Sequence, residues 1–347
     1  MVSAGRLPPL RDVLRLSLCL IGASLSLAPA RPGSPPARIE RRLEAMGTLL
    51  GLSVAGADRA AAFEASETAV REISRVEALL TTWRPGGPLD SVNTAPPGRA
   101  VVLDAELSQV LETVFGWSER TDGAFDPTVL PLVRAWDLRG PGRIPDAAAL
   151  SRALAATGRG RFRFDAGTGR TLRLAADAGI DEGAWGKGYA LDRAVWVLRR
   201  CGVSKALLDL GGQVAAVGRA SVAVADPRDR CRPAVTLSVE DESVSTSGNS
   251  ERGRTVAGRR IGHLLDPRTG QPAPDFGSAT AVAPSGLTAD VLSTAFFVLG
   301  PEKGLELSER LRREGLRNEA VFLVVADGRL RVVASPGIHA RIEEEGN

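Results

Sequence analysis

Two polar residues in the segment LTADVLSTAFFVLG, Asp290 and Thr294, have the types and the spacing of a small metal site. The segment predicts a helix over 287–300, and residues four apart lie on the same helix face. A carboxylate and a hydroxyl are hard oxygen donors of the kind that Mg²⁺ prefers. An acidic residue in a first helical turn is also common because it complements the helix dipole. The pair alone leaves a metal site and a plain helix start both open.

A second segment with chemical potential, GIDEGAWGKG at 179–188, carries Asp181, Glu182 and Lys187 among four glycines. A glycine-rich turn before a helix can present backbone N–H groups to a phosphate. The turn is not a Walker A loop, because Lys187 is followed by glycine rather than Ser or Thr, and no strand–GxGxxG–helix register fits. An ordinary turn with one solvated lysine stays the alternative.

A third segment, IGHLLDPRTGQP at 261–272, concentrates polar side chains around a proline and a glycine. It contains Asp266 and His263, one of the two histidines of the chain. An unperturbed imidazole titrates near neutral pH, so His263 suits a general base for a hydroxyl, with Asp266 as a second base in the same loop. The ring could instead hold the turn through hydrogen bonds. No HExxH or CxxC motif occurs, so the sequence does not indicate a zinc site.

Helices and strands alternate around these segments. Periodicity predicts helices over 58–80, 104–120, 145–157, 189–201, 287–300 and 303–314. Alternation predicts strands or hairpins within 39–55 and over 162–177, 206–218, 221–227, 234–240 and 320–334. The stretches 81–93 and 243–253 are predicted to be loops, and the triplet MGT at 46–48 to lie inside a strand. One helix would bury the face formed by Ala190, Ala194, Val197, Leu198 and Cys201.

The N-terminus has the layout of a secretory signal peptide. Three arginines precede an apolar run too short to span a membrane, and Ala-Pro-Ala at 28–30 gives a small-x-small cleavage pattern. We therefore predict a signal peptide over 1–30, a linker over 31–38 and a single domain over 39–340. The expected location is the periplasm or another extracytoplasmic compartment.

Composition and cysteine use restrict the function further. The net charge is +3, and without a Lys/Arg-rich block we expect no nucleic-acid partner. Leu18 directly before Cys19 argues against a lipoprotein, because lipoprotein signals carry a small residue there. After cleavage only Cys201 and Cys231 remain. They could pair in an oxidising compartment, or Cys201 could be part of the core, so their pairing is left open.

The order of the motifs resembles the ApbE family, the FAD:protein FMN transferases. The series runs from about Leu43 to Gly300 and reads MGT, TDGAFDPTVLPLVRAW, DEGAWGKGYALDRA, LLDLGGQVAAVG, STSG, HLLDPRTG and ADVLSTAFFVLG. The resemblance implies an α+β, T-fold-like protein with a mixed sheet flanked by helices in two abutting lobes and FAD in the cleft. It implies Mg²⁺-dependent cleavage of FAD, transfer of FMN to a Thr or Ser hydroxyl of an acceptor protein, and release of AMP.

The resemblance also assigns roles to individual positions. Residues that match positions at the FAD site are Met46, Trp83, Ala124, Phe125, Asp126, Asp181, Lys187 and Leu264. Among them, Trp83 falls where an aromatic ring stacks on the flavin. Residues that match Mg²⁺ ligands are Ala184, through its backbone carbonyl, and Asp290 and Thr294. His263 and Asp266 fall in the motif nearest the transfer chemistry.

The chain departs from the family pattern at a few positions. Gln213 stands where the family usually has Asp, Ser250 where Tyr is frequent, and Gly87 where Ser is common, and the strand at 221–225 lacks a frequent Trp. The departures at Gln213 and Ser250 keep open a secreted FAD-binding protein without transfer activity. The resemblance leaves a third function open, an FAD pyrophosphatase that releases FMN and AMP. The acceptor and the oligomeric state do not follow from the sequence, and an acceptor on the membrane side is left open.

Overall fold

The protein is described by a computed structural model over residues 37–165, 167–250, 253–256 and 258–343. The predicted signal peptide at 1–30 and most of the predicted linker lie outside the described residues. The last two linker residues already belong to the first strand. The export signal and the single-domain division therefore stay predictions. No helix of the described part is both long and apolar enough to cross a membrane.

Strands supply most of the elements. In chain order they are β1 (Ala37–Ala45), β2 (Thr48–Gly56), β3 (Ala100–Val102), β4 (Phe162–Asp165), β5 (Arg170–Arg173), β6 (Ala206–Leu210), β7 (Gln213–Val217), β8 (Arg219–Asp226), β9 (Asp229–Glu240), β10 (Ser243–Gly248), β11 (Arg254–Val256), β12 (Arg259–Ile261), β13 (Gly277–Ala283), β14 (Glu319–Ala326), β15 (Arg329–Ala334) and β16 (Ile342–Glu343). The helices are α1 (Arg59–Leu80), α2 (Pro88–Thr94), α3 (Ala105–Arg120), α4 (Leu130–Ala135), α5 (Ala147–Ala156), α6 (Gly186–Arg200) and α7 (Gly286–Arg313). Short 3₁₀ helices occur at Arg159–Arg161 and Pro336–Arg341.

An eight-stranded sheet in the order β1-β2-β6-β7-β10-β13-β14-β15 forms the centre of the fold. Each described pairing in it is antiparallel. The predicted α+β class is confirmed, but the prediction of a mixed sheet is wrong in this detail. Hairpins join β1 to β2, β6 to β7 and β14 to β15, and strands joined by a tight hairpin can only be antiparallel. Smaller sheets pair β16-β9-β8, β3-β5-β4 and β11-β12.

The two faces of the central sheet are covered differently. On one face, α1, α6 and α7 bury the main apolar core, which includes Ile73, Leu191 and Phe296. On the other face, the β8–β9 ribbon packs Val222 and Leu237 against the sheet. The segments that carry Lys187 and Asp290 lie on the helix-covered side, because they form the first turns of α6 and α7.

Three predicted elements differ from the structure. The predicted loop at 81–93 ends in helix α2, which runs over 88–94 and has Pro88 in its first turn, where a missing N–H costs nothing. Met46 and Gly47 form the turn between β1 and β2, both with positive φ, rather than lying inside a strand. Residues 243–248 form strand β10, whose first three residues are buried, and not a polar loop. Its polarity hid it, because its inward side chains are serines that hydrogen-bond to their neighbours.

Two helix predictions are also refined. The expected break at Gly300 is present, with φ 77° and ψ 174° inside α7, so the residues on either side form two helical parts. Helix α6 begins at Gly186, three residues before the prediction, and ends at Arg200. Cys201 therefore falls at the C-terminal cap and is an exposed free thiol. It is neither a core residue nor paired with Cys231.

Candidate active site

Helices α6 and α7 start side by side, and glycines permit the close approach. A Cβ atom on Gly188 would lie 2.1 Å from the carbonyl oxygen of Gly286, so no other residue fits there. Asp192 on α6 fixes this arrangement by accepting hydrogen bonds from Ser285 Oγ at 2.7 Å and from Leu287 N at 3.0 Å. These contacts satisfy backbone groups at the start of α7 and hold its first turn against α6. Burial raises the pKa of the Asp192 carboxyl above its ordinary value.

Asp290 is held at this junction by two donors from α6. The backbone N–H of Gly188 donates to Asp290 Oδ2 at 3.0 Å, and Lys187 Nζ lies 3.3 and 3.4 Å from the two carboxylate oxygens. The Asp290 side chain is only 5% exposed. In a regular helix the Gly188 N–H would donate to the carbonyl of Ala184, four residues earlier. Because it donates to Asp290 instead, the Ala184 carbonyl lacks that donor.

Thr294 lies one turn beyond Asp290 and faces a row of hydroxyl groups from β10. Its Oγ1 is 3.5 Å from Ser247 Oγ, which lies 2.9 Å from Ser293 Oγ. Ser293 in turn donates to Ser245 Oγ at 3.0 Å. The long Thr294 contact leaves that hydroxyl free to serve another partner.

The oxygen donors of this group fit a small hard cation. The Asp290 carboxylate, the Thr294 hydroxyl and the Ala184 carbonyl are the ligand types that Mg²⁺ takes. The described residues contain no cluster of three or more His, Cys, Asp or Glu side chains that could hold a metal. An ion here would take its other ligands from water and substrate phosphates, which is usual for Mg²⁺.

Trp83 and Asp181 lie together through an arginine that joins them. Arg139 Cζ lies 4.6 Å from the centroid of the Trp83 ring, and Arg139 Nη2 lies 2.5 Å from Asp181 Oδ2. The Trp83 side chain is 63% exposed. The structure thus places an exposed aromatic ring beside the turn that leads to Lys187.

The neighbouring Glu182 holds the loop that carries Thr82 and Trp83. Its carboxylate accepts hydrogen bonds from Thr82 N at 3.0 Å and Thr82 Oγ1 at 2.5 Å. Burial, followed by the nearby charge of Asp181, raises the pKa of the Glu182 carboxyl. Met46 is brought to the same side, because its N–H donates to Glu77 Oε2 at 3.0 Å and Glu77 also pairs with Arg84, next to Trp83.

The side chains of Ala124 and Phe125 in the 121–128 turn, which the resemblance places at the FAD site, are buried in the protein. Ala124 and Phe125 are 0% and 2% exposed and belong to the main core. Asp126 accepts hydrogen bonds from Thr128 N at 2.8 Å and Thr128 Oγ1 at 2.6 Å, and burial raises the pKa of its carboxyl. The turn still borders the site, because Asp181 N donates to the carbonyl of Pro127 at 2.8 Å.

The segment 262–272, which we name the His263 loop, is the most irregular part of the site. The N–H of His263 donates to Asn249 Oδ1 at 3.1 Å, and the Asn249 side chain is buried. Because Asn249 directly follows β10, the loop is tied to the strand that carries Ser247. Leu264 is half-buried against the main core.

Asp266 is committed to the turn itself. Its carboxylate accepts hydrogen bonds from Arg268 N at 2.9 Å, Nε at 2.8 Å and Nη2 at 2.9 Å. Its backbone N–H and carbonyl bond to Gln271 and Gly270. These contacts hold the turn in place, and the role of Asp266 as a second base stays a prediction.

Sequence reasoning missed several residues of this site. Arg139, Asn249 and Ser247 were not singled out, because their partners are distant in sequence or lie in the stretch predicted as loop. Gln213, a departure from the family pattern, donates to Ser243 Oγ at 3.1 Å and to the carbonyl of Gly286 at 3.2 Å. It therefore ties β7 to the start of α7. Ser250 is exposed beside Asn249.

Comparison with known proteins identifies the family. The model of the ApbE family matches residues 46–317. An FAD:protein FMN transferase of Klebsiella pneumoniae (strain 342) is 30% identical over 329 residues, which cover 91% of this chain and 92% of that protein. One from Treponema pallidum (strain Nichols) is 33% identical over 320 residues, 86% of each chain. The crystal structure of the ApbE protein of Thermotoga maritima superposes with a TM-score of 0.80 at 28% identity, covering 89% of this chain and 100% of that one. The chain belongs to the ApbE family.

Proposed function

We propose that this chain transfers FMN from FAD to a Thr or Ser hydroxyl of an acceptor protein and releases AMP. The observation that carries the proposal is the buried Asp290 carboxylate, held by Lys187 and Gly188 where α6 and α7 begin. A Mg²⁺ ion bound to this carboxylate would present positive charge to a pyrophosphate. The curated relatives named FAD:protein FMN transferase support the same reaction.

The chain's own residues bind the two ends of FAD. The exposed ring of Trp83 offers a stacking surface for the flavin. The start of α6 offers its positive dipole end to the phosphates. Lys187 adds a positive charge beside them, and its position is fixed by the pairing with Asp290.

A magnesium ion completes the proposed site, held by Asp290, Thr294 and the Ala184 carbonyl. When bound, such an ion neutralises charge on pyrophosphate oxygens. Asp192 and Gln213 keep the start of α7 against α6 and β7, so Asp290, in the second turn of α7, is held at the junction.

His263 is the proposed general base for the acceptor. A ring nitrogen takes the proton of the acceptor hydroxyl, whose oxygen forms a bond to the FMN phosphorus. The bond from that phosphorus to the bridging oxygen breaks, and AMP leaves with this oxygen. Asn249 fixes the backbone of His263, and the Asp266–Arg268 pair fixes the loop that follows.

We further propose that the chain is exported and acts on an extracytoplasmic acceptor. The arginine-containing start, the apolar run and Ala-Pro-Ala at 28–30 support this. Protein purified from its native host should begin near Arg31. An intact 1–30 segment on that protein would contradict export.

One incubation tests the proposed reaction. Purified protein is mixed with FAD, Mg²⁺ and a candidate acceptor, and the products are separated by mass spectrometry. Covalent flavin on a Thr or Ser of the acceptor, with AMP in solution, is the expected result. Free FMN with AMP would instead identify a pyrophosphatase, and unchanged bound FAD a binding protein.

A further inference from the structure

Arg139 makes three hydrogen bonds to two separate segments of the chain. Its Nη1 donates to the carbonyl of Thr82 at 2.8 Å, and its Nη2 donates to Thr82 Oγ1 at 2.7 Å and Asp181 Oδ2 at 2.5 Å. The side chain is 22% exposed. The guanidinium plane is therefore pinned between the 81–87 loop and the turn that precedes α6.

The guanidinium of Arg139 also packs over the ring of Trp83. The distance of 4.6 Å from Arg139 Cζ to the ring centroid is that of a cation–π contact. The ring is nevertheless 63% exposed, so most of its surface faces solvent. An exposed indole on a loop can adopt several rotamers, and the contact with the Arg139 guanidinium favours the one in this structure.

Arg139 also faces two adjacent acidic side chains. Its Nη2 lies 3.8 Å from Glu182 Oε2 as well as 2.5 Å from Asp181 Oδ2. These carboxylates are 8% and 14% exposed and lie in the turn that leads to Lys187. One side chain thus connects the aromatic plate to the turn that carries the proposed phosphate site.

We propose that Arg139 is a positioning residue that holds Trp83 as the stacking plate for the isoalloxazine ring of FAD. The proposal rests on the proposed function, since it assumes that FAD is the substrate. Arg139 covers one face of the indole and leaves the other for the flavin. It sets where the flavin lies relative to Lys187, because Asp181 and Trp83 share the same guanidinium.

The test uses ligand binding without turnover. Binding of riboflavin and of FAD is followed by flavin fluorescence, in EDTA and without acceptor, for the unaltered chain, Arg139→Gln, Trp83→Leu and the double variant. Riboflavin has the flavin ring but no phosphate. Its affinity therefore reports stacking on Trp83 and does not depend on repulsion between Asp181 and phosphate groups. Arg143→Gln is the matched control, because its guanidinium donates to carbonyls of the same segment, Ala135 at 3.0 Å and Arg134 at 2.8 Å.

Arg139→Gln should weaken both ligands by about threefold to thirtyfold, the range of a cation–π contact. Arg139→Lys, which keeps the charge but not the planar fork, should fall between Gln and the unaltered chain. In the Trp83→Leu background, Arg139→Gln should cause no further loss of riboflavin affinity. Arg143→Gln should change neither affinity.

Several results would overturn the proposal. These are unchanged affinities in Arg139→Gln, weakening of FAD but not riboflavin, or an undiminished Arg139 effect when Trp83 is leucine. If the unaltered chain did not bind riboflavin saturably, that would also contradict stacking of the flavin ring on Trp83. If Arg139→Gln does not fold, as judged by its melting curve, Arg139→Lys carries the same comparison. Failure of the transferase function is seen separately, as normal flavin binding without covalent product.

Discussion

The Asp290 junction and the His263 loop differ in how they are held. Asp290 projects from a long helix, receives donors from Lys187 and Gly188, and is almost completely buried. His263 lies on irregular backbone, is half-buried, and its N–H bonds to Asn249. Helical backbone holds a side chain more precisely than a loop does.

The difference corresponds to two tasks in the proposed reaction. The junction must hold a small substrate whose phosphates always have the same geometry. The loop must meet a hydroxyl presented by another protein, which arrives on a larger surface. We therefore expect changes at the junction to stop the chemistry outright, and changes in the loop to reduce it by amounts that depend on which contact is lost.

The largest effect should follow loss of the Asp290 carboxylate. Asp290→Ala should lower transfer about ten-thousandfold or more, because several kcal/mol of charge stabilisation at the phosphates would be lost. FAD affinity in EDTA should change little, since the proposed flavin contacts lie elsewhere. Glu302→Gln, on the exposed later part of α7, is the control. Full activity of Asp290→Ala in magnesium buffer would show that the junction does not hold the ion.

Loss of His263 should have the next largest effect. His263→Ala should lower the transfer rate about a hundredfold to ten-thousandfold, the usual contribution of a positioned base. FAD affinity and melting temperature should stay near those of the unaltered chain, and His339→Ala, an exposed histidine, should be active. A normal transfer rate would eliminate the base role. Misfolding or loss of FAD would assign the ring to holding the loop.

Asp266→Asn should sharpen the contrast within the loop. The change removes the paired contact with Arg268, so the melting temperature should fall and transfer should decrease by about tenfold at most. If Asp266 only holds the loop, the double variant Asp266→Asn/His263→Ala should be about tenfold slower at most than His263→Ala alone. A double variant hundreds of times slower than His263→Ala alone would make Asp266 a second base after all.

The smallest effect concerns the pH dependence of stability at Asp126. Burial raises the pKa of this carboxyl above 3.8, so the folded state binds its proton more tightly than the unfolded state. Its contribution to stability is therefore largest below the ordinary pKa and is lost as pH rises through the raised one. Relative to Asp126→Asn, the unaltered chain should gain melting temperature on acidification through this window. A constant difference across that pH range would contradict the raised pKa.

The sequence predicted the junction better than the loop, and physical reasons account for it. Asp290 and Thr294 sit at helical spacing, and Lys187 lies in a glycine-rich turn, so local pattern and family resemblance agree there. Arg139 could not be predicted, because its partners Trp83 and Asp181 are far from it in sequence. Asp266 looked free because one residue pattern cannot reveal that Arg268 folds back onto it.

Strands with alternating apolar residues were predicted from the sequence, and a strand with polar residues was not. The alternation in β8 and β9 and the hairpin at Asp327-Gly328 were confirmed. Strand β10 was missed because the inward side chains Ser243 and Ser245 are polar yet buried, each satisfied by hydrogen bonds to Val214 O and Ser293 Oγ. Hydropathy scales describe the transfer of a side chain from water to an apolar medium, so they do not take account of hydrogen bonds between buried serines.

The most direct test of this account measures AMP release and covalent flavin in the same reaction. Purified chain, FAD, Mg²⁺ and acceptor are sampled over time, with Asp290→Ala and His263→Ala in parallel. The account predicts one AMP for each flavin attached to the acceptor, near-complete loss of both products in Asp290→Ala, and an equal slowing of both in His263→Ala. AMP and free FMN accumulating over an unmodified acceptor would contradict it.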